Sequence, residues 1–213
     1  NEAFRVLRTN MDLMLGKMQG TKVVMFTSFF PNAGKTFSTM NTAASMALKG
    51  SKVIMVDLDL RKANLSKSLN VEHSGVAAYL NGKLEDYHLG IQKITETLDL
   101  LPVGSLPPNP TELLITDRFE ALINALKEEY DYIFLDCPPI DIVADANIIT
   151  NFVDLTVFVL RSGRLSKQMI PDIDELYKSG KFQHLALMLN FVEMQSNKYG
   201  YGKGYGYGYG YGN

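Results

Sequence analysis

The chain has no tryptophan, one cysteine and three histidines in 213 residues. Cys137, being alone, can form no disulfide within the chain, which is compatible with a reducing compartment. His73, His88 and His184 are scattered and stand in no cluster with cysteine, so no zinc site is expected. An excess of either charge is also missing: 21 Lys and Arg oppose 23 Asp and Glu, for a net charge of −2. Such a surface has no overall basic field to gather nucleic acid or anionic lipid, and neither is expected as a partner. No signal peptide and no apolar run long enough to cross a bilayer are present. The chain opens on Asn1 with a helix-like pattern at once, which reads as an excised domain and leaves room for a membrane segment upstream.

What remains is ordinary for a globular protein. The chain is 46% hydrophobic and 21% charged, enough for one sizeable α/β domain. Phe4, Leu7, Met11, Met14 and Met18 recur at spacings of three and four, so residues 1–18 should be an amphipathic helix. Short, continuously apolar runs follow at 22–28, 52–60, 98–104, 131–139, 154–162 and 184–192, each expected to be a buried strand. Helical patterns lie between them at 35–50, ending on Gly50, at 117–130, and at 166–180 with Pro171 in the first turn. Residues 106–112, "LPPNPTE", read as a proline-rich loop. Buried strands alternating with helices mean a mostly parallel sheet with helices on both faces. Ligands of such sheets bind beyond the carboxyl ends of the strands, so the residues just after strands are the informative ones.

After the first strand comes "SFFPNAGKT", in which Gly34, Lys35 and Thr36 end a Walker A loop in the required strand–loop–helix setting. Backbone N–H groups from Asn32, Ala33, Gly34 and the helix start at Lys35, Thr36 and Phe37 can then point at phosphate oxygens. Lys35 can bridge the β- and γ-phosphates, and the Thr36 hydroxyl can ligate Mg²⁺. Phe29 stands where the pattern usually begins with glycine, and Asn32 where related loops often have one; asparagine tolerates the left-handed region. The second strand ends "VIMVDLDLR", placing Asp57 and Asp59 two apart and Arg61 beyond them. Another ends "YIFLDCPP", with Asp136 as a Walker B carboxylate. Three strand-end aspartates beside a Walker A loop imply a P-loop NTPase site for ATP and Mg²⁺.

The chain closes on "YGYGKGYGYGYGYGN", which no globular core requires. Tyr199, Tyr201, Tyr205, Tyr207, Tyr209 and Tyr211 alternate with glycines in a low-complexity segment expected to be disordered, so the folded domain is placed at 1–196 and the tail at 197–213.

With the leading "EAFRVLRTN" and the middle "LPVGSLPPNPTELL", this set of motifs resembles the bacterial protein tyrosine kinases of capsular and exopolysaccharide export. Ala63 departs from it, standing where a proline often follows the arginine–lysine pair. The resemblance implies an autokinase with ATP and Mg²⁺ as cofactors. It implies that Lys35 binds phosphate, that Thr36, Asp59 and Asp136 hold the metal directly or through water, and that Asp57 accepts the phenol proton. Arg61 is left between stabilising charge and making a structural ion pair, and Asn190 between reading the base and capping a strand. The tail tyrosines become phosphoacceptors, with glycine giving the chain freedom to enter a neighbour's site at many registers. Glu2, Arg5 and Arg8, at every third position of the first helix, would pack between subunits of a ring, an octamer by resemblance. A fused or separate transmembrane polysaccharide co-polymerase and an opposing tyrosine phosphatase are the other implied partners, at the cytoplasmic side of the inner membrane. Two rivals stand beside this reading. A ParA/MinD-type ATPase should carry a lysine at the position of Phe30, and does not. A nucleotide-dependent scaffold without significant kinase activity is open to a test for phosphotyrosine.

Overall fold

The computed structural model describes residues 2–16, 18–71, 73–140, 148–164, 166, 169–182 and 184–192. The six tail tyrosines lie outside the described residues. Helix α1 (Glu2–Leu15) leads to β1 (Lys22–Thr27), α2 (Lys35–Ala47) and β2 (Val53–Asp57). Short helices α3 (Asn64–Ser68) and α4 (Val76–Leu80) precede β3 (Gln92–Lys93) and β4 (Leu98–Leu101). Then come α5 (Pro110–Leu114), α6 (Asp117–Glu129), β5 (Tyr132–Asp136), β6 (Leu155–Arg161), α7 (Ile170–Lys178) and β7 (Leu185–Asn190). The seven strands form one sheet in the order β3-β4-β2-β5-β1-β6-β7. All neighbours are parallel except the β3–β4 pair.

Alternation along each strand divides the core between two faces. Val24, Phe26, Met55 and Phe134 pack with Met11 and Leu15 of α1 and with Ala43 and Met46 of α2. Met25, Val56, Ile133 and Leu135 pack on the other face with Phe119, Leu122 and Leu126 of α6. Helices on both faces of a mostly parallel sheet are the expected architecture. The sequence reading ran several strands long: Leu58 to Leu60 leave the sheet, because Asp59 accepts the N–H groups of Lys62 and Ala63 in a turn. The proline-rich stretch is only partly loop, since Pro110 opens α5, where a missing N–H costs no hydrogen bond. Pro171 does sit in the first turn of α7.

One contact in the β4 region matters for the site. Gly75 lies so close to β4's exit that a Cβ there would stand 2.0 Å from the Pro102 carbonyl oxygen. That approach lets Val76 donate to Pro102 O at 2.8 Å, and the neighbouring Val103 N–H donates to Ser66 Oγ at 3.0 Å. Gly75→Ala should therefore push the 102–103 backbone away and lower the melting temperature by roughly 4–8 °C, the usual scale of overpacking. A thermal melt unchanged within a degree would mean the loop yields freely.

Candidate active site

The order of strands brings the three carboxylates together. β5 lies between β1 and β2, and the register sets Phe26 opposite Asp136 on one side and Asp57 opposite Asp136 on the other. The loop after β1 thus rises beside two strand-end aspartates. Asn32 and Gly34 both take positive φ, 62° and 94°. Asparagine does here what glycine does in related loops, as its short polar side chain permits. Gly34 has a second reason to lack a side chain: a Cβ would stand 2.2 Å from Asn190 Nδ2 and 3.2 Å from the Phe191 ring.

The loop is braced from the β6–β7 side. Arg161 donates to Asn32 O at 2.8 Å, and Asn190 Nδ2 to Ala33 O at 3.2 Å. Asn190 therefore braces the loop backbone and also accepts from Phe191 N at the strand end; of these, sequence reasoning had weighed only the cap, beside base reading. Arg161 was missed; its position at the end of β6 was the available signal. The first α2 N–H to bond back is Ser38, to Gly34 O at 2.9 Å. The N–H groups of Lys35, Thr36 and Phe37 are left at the positive end of the helix, a ready anion site. The Phe37 ring is exposed and meets Phe4 of α1 edge-on at 5.7 Å, so its share in a phosphate site is the backbone.

Asp57, Asp59 and Asp136 are all buried, and so is Lys35. Asp136 accepts from Thr36 Oγ1 at 2.7 Å and from Thr39 Oγ1 at 3.3 Å. Thr39, one turn beyond Thr36 on α2, was not read from the sequence. Burial, with Asp57 beside it, pushes Asp136 up to about 7. Asp57 accepts from Ser66 N at 2.8 Å and Ser66 Oγ at 2.7 Å through Oδ2, and from Asp59 N at 3.2 Å through Oδ1. Burial lifts it to about 6 despite those donors. The Lys35 ammonium is pulled down by burial and held up by Asp136 and Asp59. Cys137, fully buried next to them, has its thiol driven well up and is inert. Arg61 is exposed and reaches the Thr111 hydroxyl at 3.4 Å, and no carboxylate among the described residues pairs with it.

Three buried carboxylates against one buried ammonium leave the site short of positive charge. Among the described residues no group of three acidic, histidine or cysteine side chains forms a metal cage by itself. That donor set fits Mg²⁺, which keeps several waters and is held by one or two carboxylates plus substrate phosphates. Thr36, Asp59 and Asp136 are the hard oxygen donors at hand.

At the N-terminus, Glu2 and Arg5 form an exposed ion pair at 3.5 Å, worth little by itself. Arg8 instead donates to Ser45 O at 2.9 Å, tying α1 to α2. Arg8 is half-buried, while Glu2 and Arg5 are exposed.

A model of the AAA domain matches residues 21–179. The tyrosine-protein kinase CpsD of Streptococcus pneumoniae serotype 4 is 34% identical over 201 residues, covering 93% of this chain and 87% of that protein. The chain belongs to the bacterial tyrosine-protein kinases. A putative tyrosine-protein kinase in the cps region of Klebsiella pneumoniae is 36% identical over 93% of the chain, which spans 28% of that longer protein. The kinase domain of the Escherichia coli tyrosine kinase ETK superposes with a TM-score of 0.78 at 30% identity, covering 95% of this chain and 80% of that one. The septum site-determining protein MinD of Pyrococcus horikoshii, at 24% identity and a TM-score of 0.65, shares the fold alone. Tyrosine-protein kinase is accordingly the enzyme class, and the MinD/ParA type is a relation of architecture.

Proposed function

We propose that this kinase domain transfers the γ-phosphate of ATP to tyrosines of its own C-terminal tail, between neighbouring copies, in the control of capsular or exopolysaccharide export. The observation that carries this reading is the burial of Asp57, Asp59 and Asp136 around Lys35 at the carboxyl ends of β2 and β5, beside a loop ending on a bare helix N-terminus. In this reading the N–H groups of residues 32–37 and the Lys35 ammonium hold the phosphates, and Thr36, Asp59 and Asp136 hold Mg²⁺. The metal supplies neutralisation of charge on the phosphates. Asp57 takes the phenol proton through Oδ1, the oxygen with the single weaker donor, as the tyrosine oxygen bonds to phosphorus and the bond to ADP breaks. A carboxylate near 6 suits a proton acceptor at neutral pH better than an ordinary one. Arg61, exposed and paired with no carboxylate among the described residues, is available to the transferring phosphoryl group.

The test is incubation with Mg-ATP followed by mass spectrometry of the tail. Phosphate on Tyr199, Tyr201, Tyr205, Tyr207, Tyr209 or Tyr211 is expected. Nucleotide turnover with no phosphotyrosine would leave a scaffold. No described helix is long and apolar enough to cross a membrane. We place the domain at the cytoplasmic side of the inner membrane, with a transmembrane co-polymerase segment, fused or separate, a ring-forming second copy and a tyrosine phosphatase as partners. Support for these comes from family membership.

Asp57→Asn separates binding from chemistry. The amide still accepts from Ser66, but it is no base. Transfer to tyrosine should fall about 100-fold or more, with ATP affinity changed by less than about threefold. Collapse of nucleotide binding with turnover of bound ATP retained would reassign Asp57 to the metal.

A further inference from the structure

The edge of the sheet at β7 is open. β7 pairs with β6 alone, so its outer N–H and C=O groups face no strand among the described residues. Ala186 and Met188 turn into the α1–α2 core, while Leu187 and Leu189, on the opposite face, are 53% and 54% exposed. α7 beside them buries none of its residues. Leu185 and Leu187 line a groove there with Ile170, Ile173, Asp174 and Tyr177. An exposed edge bearing an aliphatic stripe is a template for another strand, and such edges are normally covered or charged.

The chain itself supplies a matching strand. Twenty-one residues follow Val192, and from Tyr199 to Gly212 every even position is glycine and every odd one tyrosine, except Lys203. In an extended segment all six rings fall on one face and all the glycines on the other. Eight residues, 191–198, separate the end of β7 from Tyr199, enough for a reversal of direction. We propose that the tail folds back antiparallel along β7 of its own chain, with its tyrosine rings in the groove between β7 and α7. Tyrosine favours strands and fits a half-buried aliphatic face. A slip of two residues keeps every ring on the same face, so several registers are nearly equivalent. Glycine pays extra chain entropy on ordering, which keeps the docked strand weak and able to leave. The docking does not depend on kinase activity. Its consequence does: a ring in the groove is withheld from the phosphoryl-transfer site.

Hydrogen exchange of residues 199–211 tests the docking in the full Lys35→Met chain, where the tail carries no phosphate. The amides should exchange at least about fivefold slower than in a free peptide of residues 195–213. A Leu187→Ser/Leu189→Ser double variant, whose altered side chains are exposed and whose melting temperature checks the fold, should return them to the peptide rate. Exchange at the peptide rate in the parent chain overturns the proposal. So does protection that survives in the double variant, and so does protection that grows with protein concentration, which would make the occupant a second copy. None of these outcomes involves phosphate transfer, so failure of the kinase reading leaves the measurement as it is.

Discussion

Lys35→Met should lose autophosphorylation by at least about 100-fold while keeping the fold, a loss of roughly 3 kcal/mol or more in transition-state stabilisation. Lys35 opens α2 at the head of the loop and is 7% exposed. Burial pulls its ammonium's pKa down, and Asp136 and Asp59 hold it up. That balance is informative. A buried lysine beside two carboxylates is poised to turn its ammonium to a polyphosphate, which is a stronger partner than either. Methionine matches the stem in length and fills the same space without the charge. Two effects on stability then oppose each other: the cost of burying the ammonium disappears, and the carboxylates lose their counter-charge. The melting temperature should therefore stay within about 3 °C of the parent, the scale of 1 kcal/mol in a domain this size. Lys35→Arg should recover little, because a planar fork does not occupy the place of a point charge. Phosphotyrosine forming on the Lys35→Met protein at the parent rate would remove Lys35 from the site.

The parts of this site legible in the sequence were those with a fixed offset from a strand end. Lys35, Thr36 and Asp136 follow apolar runs that read as buried strands; the structure has Thr36 donating to Asp136 and sets the buried Lys35 ammonium in the field of the same carboxylate. The left-handed Asn32 followed from its side chain, and its φ of 62° agrees. What a single sequence could not show was contact across long separations. Asn190 reaches Ala33 over 157 residues, and Arg161 reaches Asn32 over 129. Neither spacing leaves a local signal. Ser66, which fixes Asp57, belongs to a five-residue helix too short to show a period, and that helix follows Ala63 in the left-handed region, an unfavourable place for alanine. Arg8 was assigned to an interface by the family resemblance of the first helix; within this chain its length also lets it donate to Ser45 O, a contact no local pattern announces. The tail was read by composition and lies outside the described residues.

Asp136→Asn should stabilise the metal-free protein and abolish its activity. Asp136 is fully buried, next to Asp57, and rises from 3.8 to about 7. The sign follows from the direction of that rise. The folded state binds the proton more tightly than the unfolded chain, so the group favours folding fully below about 4, and that contribution is lost as pH rises toward 7. Above 7 the metal-free protein carries an ionised carboxylate at a site that disfavours it. Asparagine removes the charge and keeps the shape. Its carbonyl oxygen can still accept from Thr36 Oγ1, and the Thr39 hydroxyl can turn to accept from the amide. At pH 8 without metal the variant should melt roughly 4–8 °C higher than the parent, corresponding to about 2 kcal/mol. At pH 4 the two should melt together, because the parent's carboxyl is then neutral as well. Mg-ATP should narrow or reverse the gap at pH 8, since only the parent gains a cation for its carboxylate and a ligand that binds the native state raises its melting temperature. Transfer to tyrosine should fall about 100-fold or more in the variant, as a neutral amide is a poor ligand for a hard dication. A melting temperature for Asp136→Asn below the parent's at pH 8 would mean that hydrogen bonds to the carboxylate outweigh its burial, and that the site is built around the ion rather than awaiting it.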